Sequence, residues 1–120
     1  MNLQKQFDEI RALKDNWGGY VAKPIPEEII DAGEKIMVEV VMILGGLPEP
    51  RIVPTADSTI QFEWDDDRVG LEIEVTGPLS IHYVQTPSYK EARYSAKRIG
   101  TLALRVANLI QVFENQSNAG

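Results

Sequence analysis

Between Ile60 and Val84 the apolar residues of this chain fall at alternate positions, while on either side of that stretch they fall three and four apart. A period of two lets a strand bury one face and wet the other, and a period of 3.6 does the same for a helix. The double switch therefore predicts a sheet flanked in sequence by helices. Ile60, Phe62 and Trp64 alternate with Gln61 and Glu63, and Leu71, Ile73 and Val75 alternate with Glu72 and Glu74. Asp65-Asp66-Asp67-Arg68 joins these runs at hairpin length, and Thr76-Gly77-Pro78 turns the chain into a third strand, Leu79-Ser80-Ile81-His82-Tyr83-Val84. Arg51-Ile52-Val53, held between Pro50 and Pro54, fits an edge strand, where the missing proline donor is tolerated.

Ahead of the sheet, Leu3, Phe7, Ile10 and Leu13 predict an amphipathic helix over 2–14 that stops at Asp15-Asn16. Pro26-Glu27-Glu28 opens a second helix, with proline in the first turn and acids at the positive end of the dipole. It runs to Leu44 and is ended by Gly45-Gly46-Leu47-Pro48. Between the two, Asn16-Trp17-Gly18-Gly19-Tyr20 predicts a shaped corner in which Trp17 and Tyr20 either anchor on the core or line a pocket for a flat molecule. From about Ser88 the helical period returns, with Ile99, Leu102, Val106, Leu109, Ile110 and Phe113 in one stripe. The expected fold is α+β: an antiparallel four-stranded sheet with two N-terminal helices and one long C-terminal helix, the helices on one face. At 120 residues the chain suits a single domain over 1–115, with 116–120 as a frayed tail.

The chain has no cysteine, which removes disulfides and thiolate metal sites, and no apolar run approaches a membrane span. A cytoplasmic protein without a membrane partner is expected. Net charge is −6, the wrong sign for coating long nucleic acid. Its distribution is uneven: residues 1–85 hold 7 Lys/Arg against 16 Asp/Glu, whereas residues 86–113 hold 5 against 1. Either the basic segment lies on the acidic sheet and neutralises it, or it serves an anionic ligand.

Asn16-Trp17-Gly18-Gly19-Tyr20 with Ala22-Lys23-Pro24-Ile25, then Pro50-Arg51-Ile52-Val53-Pro54-Thr55, Glu63-Trp64 and Leu71-Glu72-Ile73-Glu74-Val75, resemble a widespread group of small bacterial and phage proteins, most without an assigned function. Where that group usually has aspartate after the tryptophan and glycine after the tyrosine, this chain has Gly18 and Val21. Within the group the layout resembles the phage-encoded Thoeris anti-defence proteins in size, opening helix and Asn-Trp corner. That resemblance implies a non-enzymatic sponge in the bacterial host's cytoplasm, which sequesters a nucleotide immune signal such as a cyclic ADP-ribose isomer or a small cyclic oligonucleotide. It transfers no individual ligand residue.

The candidate ligand residues come from the basic segment. Read as a continuous helix, it sets Tyr94, Arg98, Thr101, Arg105 and Asn108 on one side, with Arg93 and Lys97 further round. Arginine offers a planar fork for phosphate, a ring from Tyr94, Tyr89 or Tyr83 stacks on a base, and Asn108 or Thr101 donates to a sugar. The structural alternative is that Arg98 and Arg105 lie over the core edge and pair with acids of the sheet. Leu104 and Val112 fall off the main stripe, which fits either a larger core or a homo-oligomer, a dimer or a multiple of dimers. Glu63, Asp65, Asp66, Asp67, Glu72 and Glu74 support a reading from a different class, an inhibitor or antitoxin-like partner that meets a basic protein through its acidic sheet. His82 is the single histidine, with no nucleophile motif beside it, so neither catalysis nor a metal or cofactor is expected.

Overall fold

Ile60, Phe62 and Trp64 on one strand and Leu71, Ile73 and Val75 on the next turn to the same side, where all six are buried. A computed structural model of the chain describes residues 3–14 and 24–118. The elements run α1 (Leu3–Arg11), α2 (Glu27–Leu44), β1 (Arg51–Pro54), β2 (Ile60–Asp65), β3 (Gly70–Gly77), β4 (Ser80–Thr86), β5 (Lys90–Ser95) and α3 (Ile99–Asn118). The strands form one antiparallel meander in the order β1-β2-β3-β4-β5. Class α+β is as expected, but the sheet has five strands rather than four. The Trp17–Tyr20 corner lies outside the described residues, and the first helix, expected over 2–14, ends already at Arg11, with 12–14 in a turn and irregular backbone.

The fifth strand replaces the start of the expected third helix. Lys90 to Ser95 pair with β4, Ile81 facing Tyr94 and His82 facing Arg93, and α3 begins only at Ile99. Five of these six residues are exposed. A strand wet on both faces has no apolar alternation to reveal it, and Lys-Glu-Ala-Arg are good helix formers locally. Backbone pairing with β4 overrides that preference.

α2 buries Ile29, Ile30, Ile36, Met37 and Val40, and Gly33 sets how closely it approaches the sheet. A Cβ there would fall 2.5 Å from Ile60 Cδ1 and 3.2 Å from the Phe62 ring. Glycine inside a helix costs about 1 kcal/mol against alanine, and here the tight α2–β2 contact requires it. Gly45, at φ 72°, closes the helix by donating to the Val41 carbonyl at 2.9 Å. Ile99 shares a surface depression with Lys35 and Val38, and Phe113 shares another with Pro48, just past the end of α2, so α2 and α3 run in the same direction. α3 continues to Asn118, and its end is tied to the β2–β3 turn. Asp66 accepts the Arg68 and Val69 amides at 2.7 and 2.8 Å and the Ser117 hydroxyl, while Arg68 donates to the Ser117 carbonyl at 2.8 Å.

The two sheet edges are treated differently. At β1 the Gln6 side chain of α1 accepts the Ile52 amide at 2.7 Å and donates to the Pro50 carbonyl at 3.1 Å, occupying groups that another strand would use. No described residue plays that part at β5. Gln6→Ala should therefore lower stability by about 1–3 kcal/mol, since it leaves the amide of buried Ile52 unpaired, and a denaturant titration at unchanged m-value checks this.

The Ser117 hydroxyl, with the two turn amides, holds the Asp66 carboxyl down at about 2. A depressed carboxylate contributes stability above its unfolded value of about 3.9, and that contribution is lost as pH falls through the folded value. Ser117→Ala is expected to move the Asp66 midpoint upward from about 2, read by carboxyl carbon chemical shifts across an acid titration.

Candidate functional site

The sheet extends beyond its helices at one side. α1 packs on β1, α2 crosses β2 and β3, and α3 rests on β3, so the helix-side surface of β4 and β5 is left partly bare. Tyr83 and Tyr94 point to that side and pack against the core margin. The Arg105 guanidinium lies over the Tyr94 ring, 4.6 Å from its centroid. Thr101, Arg105, Asn108, Val112 and Gln116 recur at helical spacing and are all exposed, so they form one wall facing β5. Further along that wall, Val112 and Gln116 share a cavity of about 390 Å³ with Gln85, Ser88 and Lys90. The groove thus runs from the Arg105–Tyr94 stack to Lys90, with strand on one side and helix on the other.

Among the described residues its cations form no ion pair. The acids of β4, β5 and α3 are Glu91, on the opposite sheet face, and Glu114, two and a half helical turns on from Arg105. Among the described residues neither Arg98 nor Arg105 forms an ion pair, so the alternative in which they pair with acids of the sheet finds no contact. Glu63, Glu72 and Glu74 sit on the face of the sheet that the helices leave open.

The structure brings together some of the expected residues and disperses others. Arg105, Thr101 and Asn108 share the helical wall, and Tyr94 and Tyr83 reach the groove from the sheet. The single helical face drawn through residues 93–108 does not exist: Tyr94 arrives on β5, and the alternation of that strand sends Arg93 to the open face. Lys97 and Arg98 are exposed in the connection to α3, and the Arg98 carbonyl accepts the Leu102 amide at 3.2 Å, which makes Arg98 the cap residue. Two cations before a helix with no acid in its first turn reverse the usual dipole preference and add to the local positive potential. Tyr89, in the β4–β5 turn, donates to Glu91 at 2.9 Å and belongs to the open face. Leu104 and Val112 are 51% and 43% exposed, which excludes the larger core and leaves them bare on α3.

The open face carries a polar network that depends on strand register. Thr59 donates to Glu74 at 2.6 Å, His82 lies 3.8 Å from Glu74 and 3.0 Å from Glu91, and Arg51 pairs with Glu63. Gln61 donates to Glu63 at 2.7 Å. The Tyr89 hydroxyl, and after it His82, hold the Glu91 carboxyl below its ordinary range, and the same contact pushes the Tyr89 hydroxyl up. The Glu63 carboxylate likewise raises Arg51. Among the described residues no three His, Asp or Glu side chains form a metal-binding group, and no helix is long and apolar enough to cross a membrane.

No protein family matches this chain, and no curated protein or solved structure matches it. The groove and the open face therefore stand on their own chemistry. Because Tyr89 is the larger cause of the low Glu91 value, Tyr89→Phe is expected to raise the Glu91 midpoint more than His82→Ala does. A side-chain carboxyl titration by NMR reads both.

Proposed function

We propose that this is a non-enzymatic binding protein that takes up a flat anionic ligand of nucleotide type in the groove between β5 and α3. The observation that carries the reading is the Arg105 guanidinium, stacked on Tyr94 and free of any carboxylate partner among the described residues. Such a guanidinium is held in plane by the ring while its donors stay open to phosphate. Lys90 supplies a second cation along the groove, and Asn108, Thr101 and Gln85 supply groups suited to ribose hydroxyls or base edges. Tyr83 adds a further aromatic surface. The reading is sequestration without turnover, supported by a lining of cations, amides, hydroxyls and rings. A nucleotide immune signal of the kind bound by the phage anti-defence proteins is the ligand class to test first, and it would make this protein a sponge in the host cytoplasm.

One observation favours a second reading, an acidic partner for a basic protein: the sheet face bearing Glu63, Glu72 and Glu74 is uncovered. Its carboxylates are partly engaged by Arg51, Gln61, Thr59 and His82, which weakens the field they project.

Calorimetric titration with cyclic ADP-ribose isomers and cyclic dinucleotides, with adenosine as the uncharged control, tests the first reading. Binding is expected to weaken with salt and to release the ligand chemically unchanged. Arg105→Ala should reduce affinity about 10- to 100-fold, the loss of one charge-assisted contact, with Tm nearly unchanged because the side chain is exposed. Equal affinity in that variant, or no binding of any charged nucleotide, would overturn it.

A further inference from the structure

The free edge of β5 is built to pair with a second copy of itself. The Ala96 amide donates to the Leu79 carbonyl at 3.0 Å, one step beyond the facing residues Ser80 and Ser95. In an antiparallel ladder hydrogen-bonded and non-bonded pairs alternate, so the bonded pairs continue at Ile81–Tyr94, Tyr83–Ala92 and Gln85–Lys90. Lys90, Ala92 and Tyr94 therefore direct their backbone groups to β4. Glu91, Arg93 and Ser95 direct theirs outward, where no described residue receives them. The strand contains no proline or glycine, unlike β1, which ends in Pro54 and has Gln6 across its edge.

We propose that two chains join antiparallel through β5, about a twofold axis at Ala92, in the register that sets Glu91 of one against Arg93 of the partner subunit. The charges select this register. Outward-facing residues must meet outward-facing residues, so the neighbouring registers slip by two positions. One slip opposes Glu91 to the partner's Glu91, and the other opposes Arg93 to the partner's Arg93; like charges directly opposite are unfavourable. The chosen register instead makes two Glu–Arg contacts on the open face; within its own chain Arg93 forms no ion pair among the described residues and acts on Glu91 only from a distance, while Glu91 is also held by Tyr89 and His82. At the axis two Ala92 side chains meet as a non-bonded pair, where the strands come closest and small residues fit.

The same register opposes Lys90 of the partner subunit to Tyr94 on the helix side. That side chain enters the groove beside the Arg105–Tyr94 stack, and the two α3 helices flank a joint trough with exposed Val112 along its walls. This last consequence rests on the ligand reading above: each groove then takes a cation from its neighbour, and an anion bound there also relieves repulsion across the axis. The pairing itself does not depend on a ligand.

Sedimentation equilibrium of the ligand-free protein separates the two ideas. A dimer is expected, with the dissociation constant raised at least tenfold by Arg93→Glu and restored by combining Arg93→Glu with Glu91→Arg. The chain has no cysteine, so mild oxidation of single-cysteine variants reads the register directly. Ala92→Cys should cross-link to a covalent dimer, since the facing Cα atoms lie about 4.5 Å apart, within reach of a disulfide. Glu91→Cys and Arg93→Cys should cross-link poorly. A monomeric wild type, a dimer indifferent to Arg93→Glu, or preferential cross-linking at 91 or 93 would each overturn the proposal; if Arg93→Glu fails to fold by circular dichroism, the Ala92→Cys result decides. A dimer that binds no nucleotide would leave the pairing intact and remove the ligand reading alone.

Discussion

Strands in a sheet lie about 4.8 Å apart and packed helices about 10 Å apart, so a helix layer covers a sheet fully only when the two are centred on each other. Here they are not. α1 stands over β1, α2 over β2 and β3, and α3 over β3, which leaves the far side of the sheet beyond the last helix. The buried surface is concentrated accordingly on Ile60, Phe62, Leu71, Ile73, Val75 and Ile81, while β5 keeps only Tyr94 partly covered. The groove, the half-buried rings of Tyr83 and Tyr94 and the free edge all follow from that displacement.

The same displacement decided what could be read from residues alone. Wherever one face of an element is buried, its period is written in the sequence: β2, β3, α2 and the stripe of α3 were legible for this reason, as was the surplus apolar surface of Leu104 and Val112. β5 is held by backbone bonds to β4 and by almost no side-chain burial, so nothing in Lys90 to Ser95 marks it as a strand. The candidate site suffered in proportion. The helical pattern puts Thr101, Arg105 and Asn108 on a common face because their helix is real, whereas Tyr94 reaches the groove from β5 and not from that helix. Arg93 was lost to the other face by strand alternation. The His82 network and the Gln6 contact with β1 depend on register between distant segments, for which no local pattern exists.

The two edges show what a sheet of this kind needs in order to remain a discrete object. Unpaired strand groups attract other chains, and proteins blunt them with proline, charge or cover. β1 has proline and cover. β5 has only charge, and alternating charge is a weaker defence than proline because it repels most partners and accepts a complementary one. Glu91 and Arg93 are two residues apart on one face, which is the spacing at which a strand complements its own reverse.

Net charge is a poor guide to what this chain attracts. It carries −6 overall, yet the sheet acids Glu63, Glu72 and Glu74 lie on the face opposite the groove. Glu63, Glu72 and Glu74 turn to the solvent side of that far face, where water and salt limit the reach of their field. Those carboxylates are further damped by Arg51 and by hydrogen bonds from Thr59 and Gln61. A molecule that is acidic as a whole can thus hold Lys90 on one face of its five-stranded sheet and Glu63, Glu72 and Glu74 on the other.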